Sequence, residues 1–188
     1  MTIFKERIID PDYMNRQPHI NAKMRHILVT WMAEVNRKFR CVPETLHIAV
    51  SLVDQYLTRE VVKLNRLQLL GVTALFTASK YEEVLHPSVF DYVYVCDKAY
   101  SADDIREMEG LLLTAISFNL RFRTAYSYLI ENAELHKIDK QAAVDAINRC
   151  TACYELLKCS PQSISRGVLH NFGLTEPQVN PPSEDCHA

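Results

Sequence analysis

Glycine is scarce in this chain, with 4 among 188 residues. Glycine supplies the positive-φ turns of hairpins and bulges, so the scarcity argues against an all-β fold. There is no long lysine and arginine run, and the formal net charge is -2. Nucleic-acid binders carry a basic stripe, so contact with DNA or RNA is not expected. No apolar run reaches the roughly 18 residues that cross a bilayer, and no membrane association is expected. The start, Met1-Thr2-Ile3-Phe4-Lys5-Glu6-Arg7, is mixed and charged and does not read as a signal peptide. The 6 cysteines are scattered. That fits a reduced nuclear or cytoplasmic setting better than a secreted disulfide scaffold. A Gly-rich phosphate loop is missing, and no serine or cysteine sits in a nucleophile motif. Neither enzymatic chemistry nor a cofactor is expected.

What is there reads as helix. Apolar residues make up 48% of the chain and charged residues 23%, enough for a core and ordinary for a globular protein. From Asn21 to Arg40, Met24, Ile27, Leu28, Trp31, Met32 and Val35 recur at the helical period, with Asn21 as N-cap. Pro43 opens a second helix to about Leu57, with Leu46, Val50, Val53 and Leu57 on one stripe. The third, Leu64 to Val84, has almost no polar face before Lys80. A helix apolar all round belongs at the centre of a bundle. Pro87 starts a short fourth helix to Val95. Ser101-Ala102-Asp103-Asp104 is a capping-box start for a fifth, ending near Ser117.

The link Asn119-Leu120-Arg121-Phe122-Arg123 marks a lobe boundary. Helices are expected from Thr124 to His136, from Asp139 to Cys159 and from Pro161 to Asn171. From Gly173 the chain is Pro-rich and polar, a tail. The expected division is a segment 1–20, a five-helix box 21–120, a partial or divergent lobe 121–172 and the tail 173–188. Cys150, Cys153 and Cys159 invite a zinc reading, but no second close pair follows. A structural zinc site wants four ligands, so no metal is expected.

Several pieces carry a resemblance in order along the chain. They are Tyr13-Met14-Asn15-Arg16-Gln17-Pro18-His19-Ile20-Asn21, Met24-Arg25-His26-Ile27-Leu28-Val29-Thr30-Trp31 and Glu44-Thr45-Leu46-His47-Ile48-Ala49-Val50. Leu67-Gln68-Leu69-Leu70-Gly71, Ala78-Ser79-Lys80-Tyr81-Glu82-Glu83, Met108-Glu109 and Ser117-Phe118-Asn119-Leu120 follow. Together they resemble the first box of the cyclin family, in particular the A- and B-type mitotic cyclins. The match fades beyond about Tyr128.

The resemblance implies an all-α cyclin fold, with a box around a central apolar helix and a shortened or divergent second lobe. It implies a regulatory subunit that docks on a cyclin-dependent serine/threonine protein kinase in cell-cycle control and activates it. It places kinase contacts at Lys80, Tyr81, Glu82, Glu83, Glu109, Leu113, Phe118 and Leu120. It also implies a patch of Met24, Leu28, Trp31 and Gln68, with Glu34 nearby, that catches Arg-x-Leu segments of substrates or inhibitors. The spacing i, i+4, i+7 puts Met24, Leu28 and Trp31 on one helical face, and such a stripe is usually plain core. Two residues depart from the family pattern: Leu64 stands where a basic residue is common, and His26 replaces a small one. Two other readings stay open. One is an adaptor that binds a kinase without activating it. The other is a cyclin-fold transcription factor, which would need a basic face that the charge balance does not offer.

Overall fold

Most of the helices start at a residue whose side chain, or whose fixed backbone, suits a helix N-terminus. In the computed structural model, which describes residues 12–120 and 124–136 with Ile9 and Asp139, helix α1 spans Ala22–Lys38. Met24 N–H donates to Asn21 Oδ1 at 3.0 Å, satisfying one orphan donor of the first turn. Helix α2, Pro43–Arg59, carries its proline at the first turn, and α3 spans Leu64–Glu82. Helices α4, Val89–Val95, and α5, Ala102–Ala115, each open with a reciprocal capping box, Ser88 with Asp91 and Ser101 with Asp104. The fourth helix therefore begins two residues later than Pro87 suggests, because Ser88 supplies the cap. Helix α6 spans Ala125–His136, and Ser127 N–H donates to Thr124 Oγ1 at 3.0 Å. A 3₁₀ turn, Tyr13–Arg16, precedes α1, and no strand occurs among the described residues.

Glycine scarcity leaves its mark at the helix ends. Helices commonly end on a left-handed residue, usually glycine. Here Arg40 (φ 56°), Asp97 (φ 52°) and Ser117 (φ 55°) take that conformation. Cys41 N–H then reaches the Asn36 carbonyl at 3.1 Å, Lys98 N–H that of Val93 at 3.1 Å, and Phe118 N–H that of Leu113 at 2.8 Å. Each bond satisfies a carbonyl that the helix leaves open.

The centre of the bundle is shared. Helix α3 is buried from Leu67 to Ser79 except at Gln68, as its apolar circumference predicts. Helix α2 is buried to the same extent, from Thr45 to Leu57 apart from Ser51, and it packs along α3. Its single predicted stripe understates this because His47, Asp54 and Gln55 look polar but lie inside. Asp54 explains how. Arg25 Nε and Nη2 each donate to the Asp54 carboxylate at 2.7 Å, and Tyr13 Oη donates at 2.6 Å. All three residues are at most 1% exposed. Burial disfavours the Arg25 cation, but Asp54 and Tyr13 outweigh it and hold the guanidinium charged. Burial and the Asp54 charge push the Tyr13 hydroxyl well above the usual phenol range.

Gln17 completes the attachment of the leading segment. Its Nε2 donates to the carbonyls of Leu57 and Glu60 at 2.7 Å, and its Oε1 accepts from Val62 N–H at 3.0 Å. One side chain thereby closes the α2–α3 link. On the other side of α2, Thr124 Oγ1 donates to Glu44 at 2.7 Å and the Tyr126 ring stacks on His47 at 5.4 Å, seating α6. The expected helices beyond His136, the tail and Cys150, Cys153 and Cys159 lie outside the described residues. No described helix is long and apolar enough to cross a membrane.

Candidate functional site

The charged end of α3 meets the middle of α5. Ile105, Met108, Leu112 and Ile116 bury one face of α5, which packs on α3. That packing leaves Glu109 at the seam. Lys80 Nζ sits 2.6 Å from Glu109 Oε2, and Thr77 Oγ1 donates to Oε1 at 2.7 Å. Lys80 also lies over the Phe76 ring, 4.2 Å from its centroid. The lysine side chain is 36% exposed and the glutamate 14%, so the pair is open to a partner.

Apolar side chains adjoin it in sequence. Tyr81 is 51% exposed, Val84 97%, Leu85 92% and Phe118 69%. Phe118 is turned out by the left-handed backbone at Ser117 and Phe118. Leu113 and Leu120 are half-buried against the core. Glu82 is exposed, and partial desolvation together with Glu83 holds its carboxyl above the usual range. Glu83 is engaged internally. Its Oε1 accepts from Val42 N–H at 2.7 Å and Thr45 Oγ1 at 2.6 Å, so it caps the start of α2. The residues expected to contact a kinase thus divide. Lys80, Tyr81, Glu82 and Phe118 reach the surface, Glu109, Leu113 and Leu120 reach it in part, and Glu83 braces the two central helices.

The expected docking stripe sits on α1. Met24 and Trp31 are half-buried, Glu34 is exposed, and Gln68 of α3 is half-buried. Leu28 is 5% exposed and packs onto Gly71. It forms a floor between Met24 and Trp31, not a contact surface. Ile27, 58% exposed, lies three residues after Met24 and four before Trp31, and so extends the face. Nothing in the sequence pattern separated it from the core stripe. Leu64 is 54% exposed at the start of α3, beside Lys63, Asn65 and His19 in a shallow hollow.

Neither described thiol is poised for chemistry. Burial pushes Cys41 up to about 11, with Glu83 adding to the shift, and pushes Cys96 up to about 11. A thiol that stays protonated at neutral pH is a poor nucleophile. The described residues hold no group of three or more His, Cys, Asp or Glu that could bind a metal.

The five-helix box, with two buried helices at its centre, fits the all-α fold expected from the sequence. The family model for the cyclin N-terminal domain matches residues 2–121, and the chain belongs to the cyclin family. It is similar to Cyclin-B2-1 of Oryza sativa subsp. japonica, with 38% identity over 165 residues, 86% of this chain and 39% of that protein. It is 37% identical over 185 residues to the G2/mitotic-specific cyclin cdc13 of Schizosaccharomyces pombe, covering 97% of this chain and 34% of that one. It is 42% identical over 136 residues to the G2/mitotic-specific cyclin-B of Emericella nidulans, 72% of this chain and 28% of that one. The chain therefore spans between about a quarter and two fifths of the length of these curated relatives. The X-ray structure of a viral cyclin from herpesvirus saimiri shares the fold at a TM-score of 0.78 and 21% identity, over 91% of this chain and 80% of that one.

Proposed function

We propose that the chain is a regulatory subunit, without chemistry of its own, that binds and activates a cyclin-dependent protein kinase during cell division. The observation that carries this is the Lys80–Glu109 pair at the surface end of the α3–α5 seam, its lysine exposed and its glutamate partly buried, adjoined in sequence by Tyr81, Val84, Leu85 and Phe118. In water such a pair contributes only about 0–1 kcal/mol. Covered by a partner, its donors and acceptors work in a drier setting, where charged hydrogen bonds are stronger. Contact would favour the kinase arrangement in which a helix glutamate meets the ATP-orienting lysine. Moving a kinase from mostly inactive to mostly active takes about 5.5 kcal/mol of such preference. Met24, Ile27, Trp31, Glu34 and Gln68 offer a face for Arg-x-Leu segments over the Leu28 floor. A nuclear and cytoplasmic location belongs to the same reading.

The test is phosphorylation of a histone-type substrate by a monomeric cyclin-dependent kinase, with and without the chain and its Lys80→Ala, Glu109→Ala variant. Stimulation lost in the variant supports the reading. Co-purification without stimulation assigns an adaptor instead, and neither binding nor stimulation overturns both.

A further inference from the structure

Helix α2 starts without a cap of its own. Its N-cap is Val42, whose side chain can accept no hydrogen bond, and Thr45 stands at the third helical position. In a capping box, a carboxylate at that third position reaches back to the N-cap N–H. Here the carboxylate comes from 41 positions along the chain. Glu83 Oε1 accepts from Val42 N–H at 2.7 Å and from Thr45 Oγ1 at 2.6 Å. Its negative charge also suits the positive end of a helix.

Glu83 is at the same time the C-cap of α3. Its N–H donates to the Ser79 carbonyl at 2.9 Å, and its own backbone is extended, at φ -89° and ψ 138°. One residue therefore ties the end of α3 to the start of α2. The two ends differ in firmness. Helix α2 is anchored, since Thr45 is 0% exposed and burial runs on to Leu57 apart from Ser51. The last turn of α3 is not, since Lys80, Tyr81 and Glu82 follow the buried Ser79 and are all exposed. Helix ends fray, and a terminal turn with little burial is the part of a helix that opens first.

We propose that Glu83 is a positioning residue for the kinase surface: through Val42 and Thr45 it holds the last turn of α3, and with it Lys80, Tyr81 and Glu82, in the arrangement that meets the partner. This rests on the kinase-binding reading above and moves Glu83 within it, from a contact to a brace. The burial of Thr45 favours the brace. A Glu83 side chain turned outward to a partner would leave the Thr45 hydroxyl in the core without its acceptor, and an unsatisfied buried donor bears the full cost of its desolvation.

The test uses Thr45→Val, which removes the hydroxyl at nearly constant volume from a residue that cannot touch a partner. A monomeric cyclin-dependent kinase is titrated with the wild type, Thr45→Val, Thr45→Ser, Glu83→Ala and the Thr45→Val, Glu83→Ala double variant. Amide hydrogen exchange is followed on each chain alone. The expected loss of kinase affinity is about fivefold in Thr45→Val and on the order of tenfold in Glu83→Ala. The double variant should bind no more weakly than Glu83→Ala, because both changes break one brace. Thr45→Ser should restore binding. Exchange should quicken at residues 80–83 while α1 and α5 keep wild-type rates, which a general loss of stability would not allow. A Thr45→Val chain that binds like wild type, or losses that add in the double variant, overturns the proposal and returns Glu83 to direct contact. Unchanged exchange at residues 80–83 overturns it as well. A wild-type chain that binds no kinase overturns the functional reading, and this inference with it.

Discussion

Glu109 Oε2 accepts from Lys80 Nζ at 2.6 Å across the α3–α5 seam, between residues 29 positions apart in the chain. The glutamate is held from its other oxygen as well, by the Thr77 hydroxyl at 2.7 Å. Thr77 is 4% exposed, so it cannot meet a large partner itself. Its contribution is to fix the carboxylate before binding. Thr77→Val removes the donor at nearly constant volume and should weaken kinase binding by about 1 kcal/mol. Thr77→Ser keeps the hydroxyl and should restore most of it. Titration calorimetry on the three proteins decides the matter, and a valine variant that binds like wild type removes Thr77 from the site.

The Arg25–Asp54 pair is a structural element of a different kind. Both partners are 1% exposed, and Asp54 also receives Tyr13. Removing one charge strands the other in the core. Asp54→Ala should cost about 3–5 kcal/mol, whereas Arg25→Met with Asp54→Leu should cost less than the single change. Urea denaturation of both variants measures the difference. A double variant less stable than Asp54→Ala would show that the pair contributes net stability beyond avoiding a stranded charge.

That network shows where sequence reading stops. The caps of α1 and α5 were legible because Asn21, Ser101 and Asp104 act within one turn of chain. The third helix was legible because no polar face interrupts it. The second was half-read: Asp54, His47 and Gln55 look like a solvent face until Arg25, Tyr13 and Tyr126 are brought against the helix from elsewhere. Of the candidate site, Lys80 and Glu109 stood out through resemblance to a family, since exposed lysine and glutamate are common. Their pairing, and the use of Glu83 to brace α2, depend on the packing of whole helices. Spacing along the chain does not report that.

Glu44 gives a prediction in pH. Burial holds its carboxyl above the usual range; the Thr124 hydrogen bond pulls it back in part, and the Glu82 charge adds to the rise. Its Oε2 is buried without a partner among the described residues. A carboxyl raised in the folded state contributes stability that is fully present below its unfolded pKa and is lost as pH rises through the folded value. Glu44→Gln keeps an acceptor for Thr124 and removes the charge. It should melt above wild type at pH 7, with the gap closing below about pH 4.5. Thermal melts from pH 3.5 to 7.5 test this, and a gap that does not change with pH would falsify the assignment to Glu44.

Gly71 joins the fold to the α1 face. A Cβ at this position would stand 2.7 Å from Leu28 Cδ1, 3.1 Å from Cγ and 3.3 Å from Cδ2. Three contacts to one side chain cannot be relieved by moving its tip alone, so Leu28 must shift as a whole. Overpacking of this kind costs about 1–3 kcal/mol. Leu28 lies between Met24 and Trp31 along α1, so its displacement disturbs the floor of the proposed docking face. Gly71→Ala should therefore lower the melting temperature and change the affinity for an Arg-x-Leu peptide at least severalfold. Kinase binding should hold, because Lys80 lies nine residues along α3, about 13 Å away at 1.5 Å per residue. Peptide anisotropy and kinase titration on the same variant separate the two surfaces. Loss of both together would mean that the α1 face and the α3–α5 seam are not independent sites.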